Sequence, residues 1–110
     1  MIVIRFAVSN PLKTVERERF HKSHKEHIRS APFEVISSGP AFYEGDPATA
    51  AALLVARVES LKELQAFNAR DPFVENGVYS QTWLLEWQPS MGVPQKQFLI
   101  SMNESESGSG

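Results

Sequence analysis

Residues 50–58, AAALLVARV, are apolar on both faces of an extended chain. A run this short with β-branched character reads as an interior strand, covered above and below and paired on both sides. Such a strand demands neighbours, and the sequence supplies three. Residues 2–8 set Ile2, Ile4, Phe6 and Val8 against Val3, Arg5 and Ala7, the period of two that marks a strand, with the first set as its strongly buried face. Residues 79–88 place Trp83, Leu85 and Trp87 on one side and Thr82, Leu84 and Glu86 on the other. The stretch FEVIS, 33–37, reads as a short strand ended by a kink at Ser38, Gly39 and Pro40, beyond which residues 41–43 resume it.

Two helices fill the intervals. From residue 12 or 13 to about 30 there is no Gly or Pro, and Pro32 stops the run. Ser60 and Glu63 form a capping box before Leu61, Leu64 and Phe67, the apolar side of a helix that ends near Arg70. Asp71 and Pro72 then read as an N-cap and first-turn proline opening a helical turn closed by Gly77. The order β-α-β-β-α-β is the α+β, ferredoxin-like arrangement: a four-stranded antiparallel sheet with two helices on one face. The other face keeps large apolar groups from the first and fourth strands, so a homodimer packed sheet against sheet, or a higher oligomer, is expected.

With 110 residues the chain has room for one domain, placed at 1–89. Residues 90–110 are an extension, partly flexible: a polar linker to about 97, a sticky FLISM at 98–102 and a disordered end. There is no cysteine, which excludes disulfides, thiol nucleophiles and thiolate metal sites. No apolar run approaches the roughly 20 residues of a membrane span, and the amino terminus lacks the basic start of a secretory signal, so a cytoplasmic protein is expected. The net charge of -2 argues against a nucleic-acid partner. That charge is uneven, however. Between positions 13 and 29 lie six of the eleven basic residues, only three acids and all three histidines.

A helical wheel of about 100° per residue resolves this segment. With His24 at zero, Phe20 falls near -40°, Ile28 near +40°, Ala31 near -20° and Arg17 near +20°, so His24 and Arg17 occupy the apolar stripe itself. Burying an imidazole and a guanidinium is costly unless they are paired or face a cavity. The plain reading is a satisfied core histidine with an arginine that snorkels to the rim; the sharper one is a site lacking only a carboxylate. Asp71 can supply it, because both helices lie on the same face of the sheet, although an N-cap role alone would explain this residue. His21 and His27 sit near +60° and -60°, a spread too wide for three histidines to share one ion, so no metal is expected. The remaining charges, Glu16, Glu18, Arg19, Lys22, Lys25 and Glu26, form several i,i+3 and i,i+4 opposite pairs and read as a solvated face. Phosphate-loop, dinucleotide, G-x-S-x-G and H-E-x-x-H motifs are all missing, so no cofactor is expected.

The stretches ISSGP at 36–40 and ESLKELQAFNARDPFVENGVYSQTWLLEWQP at 59–89 resemble the YCII-related (YciI-like) family. That family's pattern has an Arg in the first helix, a His seven residues later, a strand ending in Gly-Pro, and a D-P-aromatic motif after the second helix. Here these fall on Arg17, His24, Gly39-Pro40 and Asp71-Pro72-Phe73. The resemblance implies a dimeric α+β barrel with a His and Asp pair in a cleft. It further implies turnover of small ring compounds, including loss of chloride from a chlorinated hydroxyquinol. Two departures stand out: a family Arg three residues before the His is His21 here, and the segment from His24 to Gly-Pro is about two residues shorter. The function expected is that of a cofactor-independent lyase, isomerase or dehydrohalogenase acting on a small phenolic, quinone or lactone substrate. His24 would be its acid or base, Asp71 would fix the tautomer, Arg17 would hold a carboxylate or enolate oxygen, and Ser38 and Gly39 would add substrate contacts. The alternative is a non-catalytic ligand-binding or assembly module on the same fold.

Overall fold

Strand β1 (Ile2–Ser9) lies in the interior of the sheet, because the chain returns to it twice. In the computed structural model, which describes residues 1–92, the order is β1, α1 (Thr14–Arg29), β2 (Glu34–Ala41), β3 (Ala51–Arg57), α2 (Leu61–Ala69), α3 (Pro72–Glu75) and β4 (Tyr79–Glu86). The sheet order is β2-β3-β1-β4 with every pairing antiparallel, the ferredoxin-like topology. Residues 93–110, which include the FLISM stretch and most of the linker, lie outside the described residues. No helix among the described residues is long and apolar enough to cross a membrane.

Helix α1 begins just after a turn in which Asn10 Oδ1 accepts from the Leu12 amide at 3.0 Å. Helix α2 starts at Ser60, whose Oγ accepts from the Glu63 amide at 3.4 Å, while the Glu63 carboxylate reaches the Glu59 amide at 3.1 Å. The capping box is therefore closed one residue upstream of its usual return. Gly77 ends α3 at φ 71°, a left-handed conformation that other residues adopt at a cost.

Three expectations are corrected. The face of β1 buried under the helices is Val3, Arg5 and Ala7, not Ile2, Ile4, Phe6 and Val8. Both sets alternate; what decides the layer is that Val3, Leu54 and Ala56 meet Leu64 and Phe67 of α2, while Ala7 meets Phe73, Val78 and Tyr79. Ile4 and Phe6 lie instead in cross-strand register with Val55 and Leu85, and with Leu53 and Trp83, on the face that carries no helix. The second correction concerns β2, which runs unbroken through Ser38, Gly39 and Pro40 to Ala41. A register shift between Val35 and Ser37 absorbs the irregularity, and an edge strand tolerates a proline because one side of its backbone has no partner strand. Strand β4 also stops at Glu86, short of Gln88.

Candidate active site

Arg5 is 2% exposed and stands on the helix-covered face of β1 between Val3 of one apolar cluster and Ala7 of the other. A guanidinium there requires a counter-charge. Asp71, 0% exposed, provides it: Arg5 Nη1 donates to Asp71 Oδ2 at 2.8 Å. Asn68 Oδ1 accepts a second bond from Nη1 at 3.3 Å and passes the network on through its Nδ2 to Thr82 Oγ1 at 3.1 Å.

The other oxygen of Asp71 has two tasks. It accepts from the Phe73 amide at 2.9 Å, which is the N-cap of α3, and it lies 2.7 Å from His24 Nδ1. Capping and pairing, set out above as rival explanations of Asp71, thus hold together. Burial on its own would raise the carboxyl's pKa; the hydrogen bond and charge of His24, the Arg5 guanidinium and the Phe73 amide outweigh it and hold the group below its ordinary value. An ionised carboxylate can only accept, so His24 Nδ1 carries the proton and Nε2 presents a lone pair in the neutral ring. Nε2 has no hydrogen-bond partner among the described residues. Phe73 fixes the ring plane, stacked on His24 at 4.0 Å between centroids and 1° between planes, and Tyr79 meets it edge-on at 5.9 Å.

Beside this pair opens a cavity of about 440 Å³ between α1 and the β2-β3 side of the sheet. Arg17, His24, Ser38 and Gly39 all line it, and Asp71 lies behind His24 as its hydrogen-bond partner. Arg17 Nη2 donates to Ser9 Oγ at 2.8 Å and its guanidinium lies 5.1 Å from the Phe73 ring centroid. The three histidines separate as the wheel requires. His21 lines the cavity, whereas His27 turns to the opposite side, bonded through Nε2 to the Phe67 carbonyl at 2.8 Å and stacked on its ring at 4.0 Å. No group of three potential metal ligands gathers among the described residues.

Sequence reasoning missed four contributors. Arg5 was hidden by its position on the less apolar side of β1. Tyr79 lines the cavity with its hydroxyl unpaired among the described residues; burial raises its pKa, with Asp71 adding to the effect and Arg5 and Arg17 opposing it. Lys25, read as part of a solvated face, stands with Arg29 on the cavity wall.

The model of the YCII-related domain matches residues 1–88. Among solved structures, the 5-chloro-2-hydroxyhydroquinone dehydrochlorinase TftG from Burkholderia phenoliruptrix AC1100, in complex with 2,5-dihydroxybenzoquinone, has a TM-score of 0.72. It shares 20% sequence identity, with 80% of this chain and 94% of that one covered, a likeness of fold. An antibiotic biosynthesis monooxygenase follows at a TM-score of 0.49 and 15% identity, covering 81% and 100% of the two chains. An MhuD mutant with two manganese protoporphyrin IX bound per active site has 0.46 and 17%, covering 86% and 100%. No curated protein sequence matches.

Proposed function

The chain belongs to the YCII-related domain family, and on that footing we propose that it is a small cofactor-independent enzyme, a lyase, isomerase or dehydrohalogenase, moving protons on a phenolic, quinone or lactone metabolite. One observation carries the proposal: His24 stands on the cavity wall with Nδ1 2.7 Å from a buried carboxylate and Nε2 free to address a ligand. Nε2 takes a proton from an acidic C–H or O–H of the substrate, the charge collects on a substrate oxygen facing Arg17, and Asp71 stabilises the resulting imidazolium. An isomerase returns the proton to another carbon. A dehydrohalogenase uses the released electron pair to form a double bond as the carbon–halogen bond breaks, with halide leaving and the proton passing to solvent. TftG, a dehydrochlorinase held with a quinone, makes ring compounds of this kind the first to try.

The functional unit in this proposal is a homodimer whose open sheet faces close on one another. Phe6, Trp83 and Leu85 remain 39%, 42% and 57% exposed on that face, and Phe6 and Trp83 already touch at 5.9 Å.

The test is turnover, or solvent-deuterium uptake, across a panel of hydroxyquinols, quinones and lactones. His24→Gln is expected to lower the rate by about 10²- to 10⁴-fold. A variant that keeps the wild-type rate on a substrate the protein turns over refutes the assignment, and a protein that binds such rings without turning any over is a ligand-binding module.

A further inference from the structure

Arg17, His21, Lys25 and Arg29 follow one another at strict four-residue spacing along α1, and all four line the cavity. Like charges one helical turn apart repel, so Lys25 and Arg29 at this spacing are unfavourable unless acids compensate them. None does so here. The cavity lining contains no Asp or Glu. Arg17 bonds only to the neutral Ser9 hydroxyl, and neither Lys25 nor Arg29 has an ion-pair or hydrogen-bond partner among the described residues. Arg5, by contrast, is neutralised by Asp71.

The column also has two ends. Arg17 stands beside the Phe73 and Tyr79 rings, 5.1 and 6.0 Å from their centroids, at the His24 end. Lys25 and Arg29 follow towards the carboxy-terminal end of α1, and the apolar Ile28 lines the cavity with them. From His24 to Arg29 the helix rises about 7.5 Å, the order of the breadth of an aromatic ring.

Taking the proposed function as its basis, we infer that Lys25 and Arg29 form a second anion subsite, and that the substrate is a ring compound carrying a carboxylate at this end and an ionisable oxygen at the His24–Arg17 end. A carboxylate suits the pair because two cations on adjacent turns can share its two oxygens. Lys25 and Arg29 are both exposed, which makes the subsite a selector of charge at the cavity mouth.

Isothermal titration with hydroquinone and 2,5-dihydroxybenzoate, which differ by one carboxylate, tests this directly. Wild type is expected to bind the acid at least about tenfold tighter, a difference of about 1.4 kcal/mol, and added salt should narrow the gap. Lys25→Gln combined with Arg29→Gln should bring the acid to the level of hydroquinone and leave hydroquinone within about twofold. Both side chains are exposed, so the fold should survive, as a thermal melt will show; Lys25→Arg with Arg29→Lys should keep the preference. A wild type with no preference for the acid, or one whose preference survives the double glutamine change, overturns the inference. Arg17→Gln separates the two readings. It should weaken hydroquinone about tenfold; an unchanged hydroquinone affinity beside an intact carboxylate preference refutes the proposed function and leaves the subsite standing.

Discussion

Replacing Asp71 by Asn keeps the side-chain volume and the oxygen that caps α3 but deletes the charge facing Arg5 and His24. The partners are sealed: the Arg5 and Asp71 side chains are 3% and 0% exposed. Removing one member of a buried ion pair costs about 3–5 kcal/mol, because the survivor stays buried without a counter-charge. Against a total stability of about 5–15 kcal/mol for a domain, that is a large share, and it corresponds to a fall in Tm of about 12 °C or more. Urea melts of wild type and Asp71→Asn at neutral pH measure it, as a shift in midpoint at constant slope. Adding Arg5→Met to Asp71→Asn should recover much of the loss, since the orphaned charge goes with it. The pH dependence has a definite sign. The Asp71 carboxyl is lowered in the folded state, so its contribution is complete above the unfolded carboxylate pKa of about 3.9 and is lost as pH falls through the lower folded value. Wild type should therefore lose stability on acidification in that window more steeply than Asp71→Asn. A loss under about 1 kcal/mol at neutral pH, or a double variant no better than the single one, refutes the buried-pair argument.

Two further outcomes follow from other parts of the molecule. Burial raises the pKa of Tyr79, so its stabilising neutral form is fully present below the unfolded tyrosine pKa of about 10 and its contribution is lost as pH rises through the folded value; an alkaline absorbance titration should show a late phenol step that Tyr79→Phe removes, and a titration unchanged by that substitution refutes it. On the open sheet face, the proposed homodimer predicts that wild type elutes as a dimer in light-scattering chromatography and Leu85→Glu as a folded monomer, and a wild type that elutes as a monomer at all concentrations refutes the sheet-to-sheet association.

The strands and helices were legible because their periods were, and the His24–Arg17 alignment emerged from spacing alone. Arg5 was not, for a physical reason: β1 has two apolar sides, and the more hydrophobic one, with Ile4 and Phe6, is the side the helices leave uncovered. Hydrophobic contrast indicates that a strand has faces, while the elements packed on it decide which face is inside. Pro40 misled in the other direction, since a proline halts an interior strand but leaves an edge strand intact. The column from Arg17 to Arg29 was spelled out in the sequence at intervals of four. It was masked by Glu16, Glu18 and Glu26, which sit on neighbouring faces of α1 and make the whole helix look internally neutralised.

The pair between Arg5 and Asp71 joins residues 66 positions apart, which has a bearing on how the chain is made. During synthesis Arg5 emerges early, on a strand whose partners β3 and β4 come much later. Until residue 71 is out, this cation has no carboxylate to enter the core with, and the sheet cannot close over it without burying an isolated charge. Stable folding is thereby deferred until nearly all of the domain is present, so a ribosome-bound intermediate lacking α3 should keep its amino-terminal strand accessible to chaperones and proteases.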